Sequence, residues 1–346
     1  ENLIPSEISV LFPPIIIQKL ISNSYLFIIL SSITTFVMLL KYARNFDIIH
    51  TESFPCLIPT ILIAKMYNKK TVWITHSLTI PTPSNPIAII GFIIAKLDLY
   101  FAHYIGAIIA VSPKTKSALA QLKPKIPSYI IIPPINIARL TNPTKSFVRN
   151  KYNLNQSIVL LCVGVIHPSK NQLLAVQALK ELKKTFPRIC LIIVGGGSQD
   201  ILISQIQALA LTFSNSSKNI NLDQPDIILA GLVAESELKN YYEDSDLILL
   251  PSLPDQEGLG ITPLEGLYLN KLSVVVQGPG IAQIIIDHNI GLVCKPTLTH
   301  FVETIKNYLS NTDKYLSMIA SGHQYVLENN SIKNYTKNVL EVYNNI

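Results

Sequence analysis

The sequence predicts an α/β protein made of two Rossmann-like domains, each built on a doubly wound parallel sheet. Short apolar runs alternate with helical patterns along most of the 346 residues, and this alternation is typical of parallel βαβ units. In the second half, glycines directly follow several of the apolar runs. Such glycines should gather at the carboxyl edge of the sheet, where folds of this class bind ligands. The length also suffices for two hydrophobic cores.

The first half is predicted to hold four strands. They are expected at residues 46–50, 71–75, 107–111 and 129–132, with helices between them. Before the first strand, residues 20–40 hold no charged side chain, and a helix of that length would span roughly 30 Å, enough for a bilayer core. Several Ser, Thr and Asn residues in that stretch favour a buried or interfacial helix over a membrane span. The apolar residues 87–94 are interpreted as a core helix, with a membrane-surface helix as the alternative.

The second half shows a clearer alternation of strands and helices. Proline, threonine and asparagine concentrate at residues 133–143, which places a connecting segment between about residues 133 and 155. Strands are expected at residues 158–163, 189–194, 227–230, 247–250 and 272–276, and helices over about 171–186 and 199–211, from Glu235, and over 332–344.

The loop after the strand at residues 247–250 carries the pattern that best indicates a function. It holds Glu257, Gly258 and Gly260, and Thr262-Pro263 then predicts a helix with threonine at the N-cap. Backbone N–H groups and the positive end of the helix dipole favour a phosphate there. Glu257 and Glu265 stand eight positions apart and could accept hydrogen bonds from sugar hydroxyls on either side, which describes a nucleotide sugar. The alternative is a capping box formed by Thr262 and Glu265, with Glu257 as a solvated loop residue.

Several further segments carry a family resemblance. They are residues 162–170 (CVGVIHPSK), 193–197 (IVGGG), 229–232 (LAGL), 241–252 and 291–296 (GLVCKP). Together with the E-x7-E pair they resemble the retaining, nucleotide-sugar-dependent glycosyltransferases of family 4. The resemblance begins at about Asp47, reaches the C-terminus, and is most specific over residues 163–293.

The resemblance implies the GT-B architecture, in which two Rossmann-like domains face a cleft. It implies an N-terminal acceptor domain over residues 1–140 that lacks its first βα unit, and a nucleotide-sugar domain over residues 141–330. A C-terminal helix, over residues 331–346, is expected to pack back toward the first domain.

The resemblance also implies roles for individual residues. Lys170 would neutralise the diphosphate leaving group, Glu265 would hold the ribose, and Glu257 would contact the donor sugar. His76 would face that sugar from the first domain. The implied catalytic residues are His76, Lys170 and Glu257. The implied donor- and nucleotide-binding residues are Gly164, Lys170, Gly196, Leu232, Glu257, Gly258, Leu259, Gly260, Ile261 and Glu265.

The chain departs from the family pattern at two places, and two of the assigned residues have a purely structural alternative. The chain has Val165 where the family usually places an arginine, and one cation in place of two should weaken leaving-group stabilisation, a contribution commonly worth a few kcal/mol. Residues 132–136 replace the Pro-Asn-Gly turn common in relatives. Alternatively, Lys170 is a solvated lysine near a helix start, and His76 is a strand-end histidine bonded to nearby backbone.

Composition limits the other classes of function. The formal charge of +6 is small and its Lys and Arg residues are scattered, which argues against nucleic-acid binding and suits an anionic donor or membrane surface. The four cysteines form no C-x-x-C pair, so a reducing cytosol is expected. No cluster in the sequence has metal-ligand spacing, and Asp244-Ser-Asp246 is interpreted as a turn rather than as a D-x-D metal motif.

The predicted function is therefore the transfer of a hexose or related sugar from a UDP- or GDP-sugar to a hydroxyl acceptor. The resemblance implies no metal, and no cofactor other than the nucleotide-sugar donor itself. A lipid-linked or polysaccharide acceptor and a cytoplasmic location at a membrane surface are expected by analogy. The alternatives are a catalytically impaired nucleotide-sugar-binding relative and a nucleotide-sugar epimerase of the same fold.

Overall fold

The computed structural model describes residues 24–52, 56–76, 89, 93, 96–97, 99–121, 126–197, 200–214, 225–254 and 256–346. The chain divides into two units. The first unit comprises the chain up to Val111 together with Thr115–Ile131 and Asn338–Ile346, and the second unit comprises Ser112–Lys114 and Ile132–Lys337. The domain boundaries predicted at residues 140 and 330 stay predictions.

The first unit contains a parallel sheet with the strand order β1-β2-β3-β4. Its strands are β1 (Ile48–Thr51), β2 (Lys70–Thr75), β3 (Ala107–Ala110) and β4 (Ser128–Ile130), and its helices are α1 (Ser24–Tyr42), α2 (Leu57–Tyr67) and, from Thr115 onward, α3 (Pro113–Gln121). Trp73 of β2 and Ile108 of β3 pack against Leu57 and Ile61 of α2. One apolar layer therefore forms between the sheet and that helix.

The second unit contains a six-stranded parallel sheet with the order β10-β9-β8-β5-β6-β7. Its strands are β5 (Ile158–Val163), β6 (Ile189–Val194), β7 (Ile227–Gly231), β8 (Leu247–Leu250), β9 (Ser273–Val276) and β10 (Leu292–Cys294). The chain passes from β5 outward to β7 and then returns to the other side of β5 with β8. This reversal is a topological switch point, and ligands of doubly wound sheets bind in the crevice at its carboxyl edge.

Helices connect these strands and end the chain. They are α4 (Phe147–Lys151), α5 (Gln172–Leu182), α6 (Asp200–Ser214), α7 (Glu235–Asp244), α8 (Thr262–Tyr268), α9 (Gly280–His288), α10 (Leu298–Ser310), α11 (Leu316–Asn329) and α12 (Ile332–Asn344). Leu179 of α5 and Phe301 of α10 are fully buried in the core cluster that covers one face of the sheet. Because both faces of the central strands are buried, β5, β6 and β8 read as continuous apolar runs.

Most predicted elements are present in the part of the chain that the structure describes. The strands predicted at residues 158–163, 189–194 and 247–250 are confirmed without a shift. Residues 291–296, which carry part of the family resemblance, contain the unpredicted strand β10, whose three residues between Gly291 and Pro296 are too few to show a strand pattern. The helix predicted at residues 87–94 lies outside the described residues apart from positions 89 and 93. Within the described ranges, none of the helices combines the length and hydropathy that a membrane crossing needs.

The predicted N-cap of α8 is wrong by one position. The helix starts at Thr262, but Ile261 is the N-cap and its backbone is already helical, with φ −79° and ψ −24°. The preceding Gly260 has φ +84°, and this left-handed turn brings the chain into the helix one residue early. Thr262 and Pro263 therefore occupy the first turn of a helix of seven residues.

Candidate functional site

Glycines bring the loops after β5 and β6 and the last residue of β7 into direct backbone contact. The N–H of Gly195 donates to the carbonyl of Gly231 at 2.9 Å, and the N–H of Ile166 donates to the carbonyl of Gly196 at 2.8 Å. A Cβ atom on Gly195 would lie 1.9 Å from the carbonyl oxygen of Gly164. The glycines predicted at these strand ends are therefore required for the close approach, and they expose bare backbone at the carboxyl edge.

Leu232 lies beside one of these glycines. Its side chain is 86% exposed, and a Cβ atom on Gly196 would lie 2.6 Å from its Cγ. Val165, on the neighbouring loop, is also exposed. The structure thus brings two predicted donor-binding residues, Gly196 and Leu232, together at an apolar surface.

The loop after β5 is fixed by a residue that the sequence did not single out. Gln172, the first residue of α5, is fully buried, and its side-chain Nε2 donates to the carbonyl of Val165 at 2.8 Å. The loop then forms a 3₁₀ turn, Pro168–Lys170, that ends at the predicted cation. The side chain of Gln172 therefore fixes the loop that carries Lys170. A glutamine at the start of a helix is common, so the sequence alone does not indicate this role.

Lys170 and Glu257 are in contact across the switch point. Lys170 Nζ lies 2.5 Å from Glu257 Oε2, and Ser252 Oγ donates to the same oxygen at 3.1 Å. The backbone N–H of Leu253 also donates to the carbonyl of Ser169 at 2.8 Å. The loops after β5 and β8 are thereby joined, and a cation and a carboxylate predicted from separate motifs form one partly exposed pair.

The loop between Glu257 and α8 is anchored through its carbonyl oxygens. Ser112 Oγ donates to the carbonyl of Gly258 at 2.8 Å, and the N–H of Ile281 donates to the carbonyl of Leu259 at 2.8 Å. A Cβ atom on Gly260 would lie 2.7 Å from Leu250 Cδ2. The predicted donor-binding segment, residues 258–261, is therefore a tight turn packed on the end of β8.

Glu265 is held by two side chains that the sequence analysis missed. It is 1% exposed; its Oε1 accepts a hydrogen bond from Arg139 Nη2, and its Oε2 accepts one from the Tyr242 hydroxyl at 2.6 Å. The capping-box alternative is therefore not realised, because the carboxylate is engaged elsewhere. Arg139 lies in the predicted connecting segment. Its partner is far away in the chain, so no local sequence pattern indicates the contact.

Burial shifts the protonation of two groups near these residues. It raises the pKa of Tyr242 far above its usual value, although Arg139 opposes this effect, so the hydroxyl stays protonated and donates to Glu265. Burial likewise raises the pKa of the Cys162 thiol to about 12, against an opposing effect of Lys170. Cys162 is therefore a protonated core residue, as expected for a buried thiol in apolar surroundings.

The remaining residues singled out in the sequence are His76 and the Asp244–Asp246 motif. His76 is exposed directly after β2 in the first unit, and its assigned role stays a prediction. Asp244 accepts hydrogen bonds from the backbone N–H groups of Ser146 and Val148 at 2.7 Å each. Asp246 Oδ2 accepts from Arg149 Nη2 at 2.8 Å. These carboxylates hold the connecting segment, in line with the interpretation as a turn.

Two parallel sheets, with a lysine, a carboxylate and glycine turns at the switch point of the second, define an α/β protein of the GT-B class. The family model described as "Glycosyl transferases group 1" matches residues 144–325, which is more than half of the chain, and the chain belongs to this family. A second model, "Glycosyltransferase Family 4", matches residues 7–139. The predicted family membership is confirmed.

Curated relatives carry transferase names. The chain is 26% identical over 188 residues to a GDP-mannose-dependent alpha-(1-6)-phosphatidylinositol monomannoside mannosyltransferase of Mycolicibacterium smegmatis, covering 53% of this chain and 46% of the relative. It is 23% identical over 236 residues to the human alpha-1,3/1,6-mannosyltransferase ALG2, covering 66% of this chain and 54% of the relative. The chain thus spans about half the length of these relatives.

Solved structures share the fold. The crystal structure of Anabaena Alr3699/HepE in complex with UDP superposes with a TM-score of 0.75 at 15% identity, covering 90% of this chain and 82% of that one. The crystal structure of a glycosyltransferase from Rickettsia africae ESF-5 superposes with a TM-score of 0.72 at 21% identity, covering 93% and 82%. The predicted GT-B fold is confirmed.

Proposed function

We propose that the protein is a retaining glycosyltransferase that moves a sugar from a UDP- or GDP-sugar to a hydroxyl acceptor. The observation that carries this proposal is the contact between Lys170 and Glu257 across the switch point. A cation suits a diphosphate and a carboxylate suits sugar hydroxyls, so a sugar diphosphate is the ligand that uses both. Membership of the glycosyltransferase family supports this assignment.

The donor is assigned to the second unit. The diphosphate lies against Lys170 and the turn at residues 258–261, and the sugar lies beside Glu257. The ribose lies at Glu265, and the nucleobase lies on the apolar surface formed by Leu232 over Gly196. Because α8 has only seven residues, we assign the phosphate affinity to the lysine and the loop backbone rather than to a helix dipole.

The residues contribute mainly electrostatics and orientation to the transfer. As the bond between the sugar and the diphosphate breaks, negative charge grows on the diphosphate, and Lys170 compensates it. Glu257 orients the sugar, and the acceptor hydroxyl attacks from the side on which the diphosphate leaves. The departing diphosphate takes the acceptor proton, so the step needs neither a metal nor a covalent nucleophile.

The proposed acceptor is a lipid-linked glycan at a cytoplasmic membrane surface. One relative is named for a phosphatidylinositol monomannoside, and another is named a lipopolysaccharide 1,2-N-acetylglucosaminetransferase, from Salmonella typhimurium, at 28% identity over 143 residues. Ile33 and Val37 of α1, four positions apart on one helix face, are exposed. Exposed apolar side chains of this kind suit contact with a membrane surface.

A second candidate, a catalytically impaired nucleotide-sugar binder, is favoured by Val165. This valine is exposed on the phosphate-side loop, at the position where the family usually places an arginine. With Lys170 as the only assigned phosphate cation, the donor could bind without efficient transfer.

One experiment separates these functions. The protein is titrated with GDP-mannose, UDP-glucose and UDP-N-acetylglucosamine in a calorimeter, and each donor is then incubated with an alkyl glycoside acceptor. Transfer that keeps the anomeric configuration, measured by NMR, is the expected result. Tight donor binding without nucleotide release or product would favour the impaired binder. If no donor binds, the nucleotide-sugar assignment itself is wrong.

A further inference from the structure

The connecting segment is fastened to one helix of the second unit. Lys239 Nζ donates to the carbonyl of Thr141 at 2.8 Å, and Asn240 Oδ1 accepts from the N–H of Thr144 at 2.7 Å. Both side chains belong to α7. The 3₁₀ turn Ile137–Arg139 directly precedes these anchors, so the backbone that carries Arg139 is held in place.

From this turn, Arg139 reaches the carboxylate of Glu265. The two residues are 126 positions apart in the chain, and Arg139 also lies 3.4 Å from the exposed Glu235 at the start of α7. Glu265 is almost fully buried, and a buried carboxylate stays ionised only with a partner charge or hydrogen bonds. Arg139 supplies that charge.

Tyr242 supplies a second hydrogen bond to the carboxylate of Glu265. Its hydroxyl is buried and donates to Glu265 Oε2 at 2.6 Å, while Arg139 engages Oε1. Each carboxylate oxygen thus receives one hydrogen bond from the protein. A carboxylate offers about four acceptor positions, so one position on each oxygen remains for a ligand. Two adjacent acceptors match two hydroxyls on neighbouring carbons.

We infer that Arg139 and Tyr242 are positioning residues for the nucleotide donor. They orient Glu265 so that its two oxygens accept the 2′ and 3′ hydroxyls of the ribose. This inference rests on the proposed function, which assigns Glu265 to the ribose. It makes the connecting segment part of the donor site, because Arg139 belongs to that segment.

A purely structural role would have a different signature. If Arg139 and Tyr242 only tie the connecting segment to α8, their replacement lowers the melting temperature but leaves the preference for ribose over deoxyribose unchanged. If they position Glu265, the preference itself falls. The ratio of two affinities measured on the same folded variant therefore separates the two roles.

The test compares UDP and GDP with their 2′,3′-dideoxy forms by calorimetry. Two hydrogen bonds to a charged carboxylate predict that the wild-type protein prefers the ribonucleotide by about a hundred- to a thousandfold. Arg139→Lys and Tyr242→Phe should each reduce the ratio of the ribonucleotide affinity to the dideoxynucleotide affinity to about three or less. The Michaelis constant for the donor should rise, with a smaller change in kcat. Glu235→Gln is the matched control, because it changes the other carboxylate near Arg139, and it should keep the preference.

The outcomes distinguish this inference from the proposed function. If the wild-type protein binds neither form of either nucleotide, the proposed function fails. If the wild type shows the preference and both folded variants keep it, the positioning role is wrong. Tyr242→Phe removes one hydroxyl only, so it decides the matter alone if Arg139→Lys does not fold.

Discussion

Replacing Asp244 with alanine should destabilise the second unit strongly. The side chain is 5% exposed, and its two oxygens accept hydrogen bonds from the backbone N–H groups of Ser146 and Val148 at 2.7 Å, with a third from Arg149 at 3.2 Å. These N–H groups lie at the start of α4. The carboxylate therefore caps that short helix from a distant part of the chain.

The magnitude follows from these contacts. A hydrogen bond to a charged group contributes about 2 kcal/mol, and the long third bond shares an oxygen with a short one, so we count two. Asp244→Ala should then lower the free energy of unfolding by about 4 kcal/mol. Asp244→Asn should lower it by about 2 kcal/mol, because an amide keeps one acceptor oxygen and turns its N–H₂ group toward the other donors.

The assay is urea unfolding followed by far-ultraviolet circular dichroism, with the slope of the transition checked for each variant. Asp313→Ala, which changes an exposed acid, is the control and should stay within about 0.5 kcal/mol. A loss below about 1 kcal/mol for Asp244→Ala would refute the capping argument. Donor turnover that required a divalent cation and Asp244, at unchanged stability, would instead revive the metal-motif interpretation.

Three further predictions concern the site and the first unit. Lys170→Ala should lower kcat by about 10²–10³, because it removes the charge that compensates the leaving diphosphate. Lys180 is an exposed lysine on α5, and the control variant Lys180→Ala should leave steady-state rates unchanged. Equal rates for the two variants would count against the role of Lys170. Burial lowers the pKa of His50 to about 4, so on acidification the unfolded chain takes up the proton before the folded chain does. The free energy of unfolding should therefore fall by about 3 kcal/mol as the pH drops from 6.5 to 4, and the fluorescence of Trp73 can follow the unfolding. A His50→Asn variant whose free energy of unfolding has the same pH slope would contradict the prediction. Gly195→Ala should reduce both stability and donor binding, because the added Cβ collides with a neighbouring carbonyl; unchanged calorimetric binding and melting would show that the loops can separate.

The central strands of the second unit could be predicted because burial on both faces requires apolar residues at every position. β5, β6 and β8 are central and covered on both faces, so each is an unbroken apolar run with a defined end. β10 has only three residues and pairs with β9 alone. An edge strand of that length gives too short a pattern to be separated from a turn.

The candidate site was predictable where it follows the strand ends. Lys170 and Glu257 stand in loops after β5 and β8, and these strands are neighbours, so parallel topology alone brings their loops together. Arg139 and Tyr242 could not be found this way, because their contact with Glu265 depends on the path of the connecting segment along α7. Likewise, the prediction of an N-cap at Thr262 was wrong because the left-handed turn at Gly260 brings the backbone into the helical conformation one residue earlier, at Ile261.

The fastening of the connecting segment to α7 also decides where the chain can be cut. A fragment beginning at the first residue of β5 would keep every strand of the larger sheet, yet Asn240 and Asp244 would lose the amide groups that they now bind. These two polar side chains would then lack their native hydrogen-bond donors. A fragment beginning before Ile132 retains these amides together with Arg139, and is the better choice for isotope labelling or crystallisation of that half of the protein.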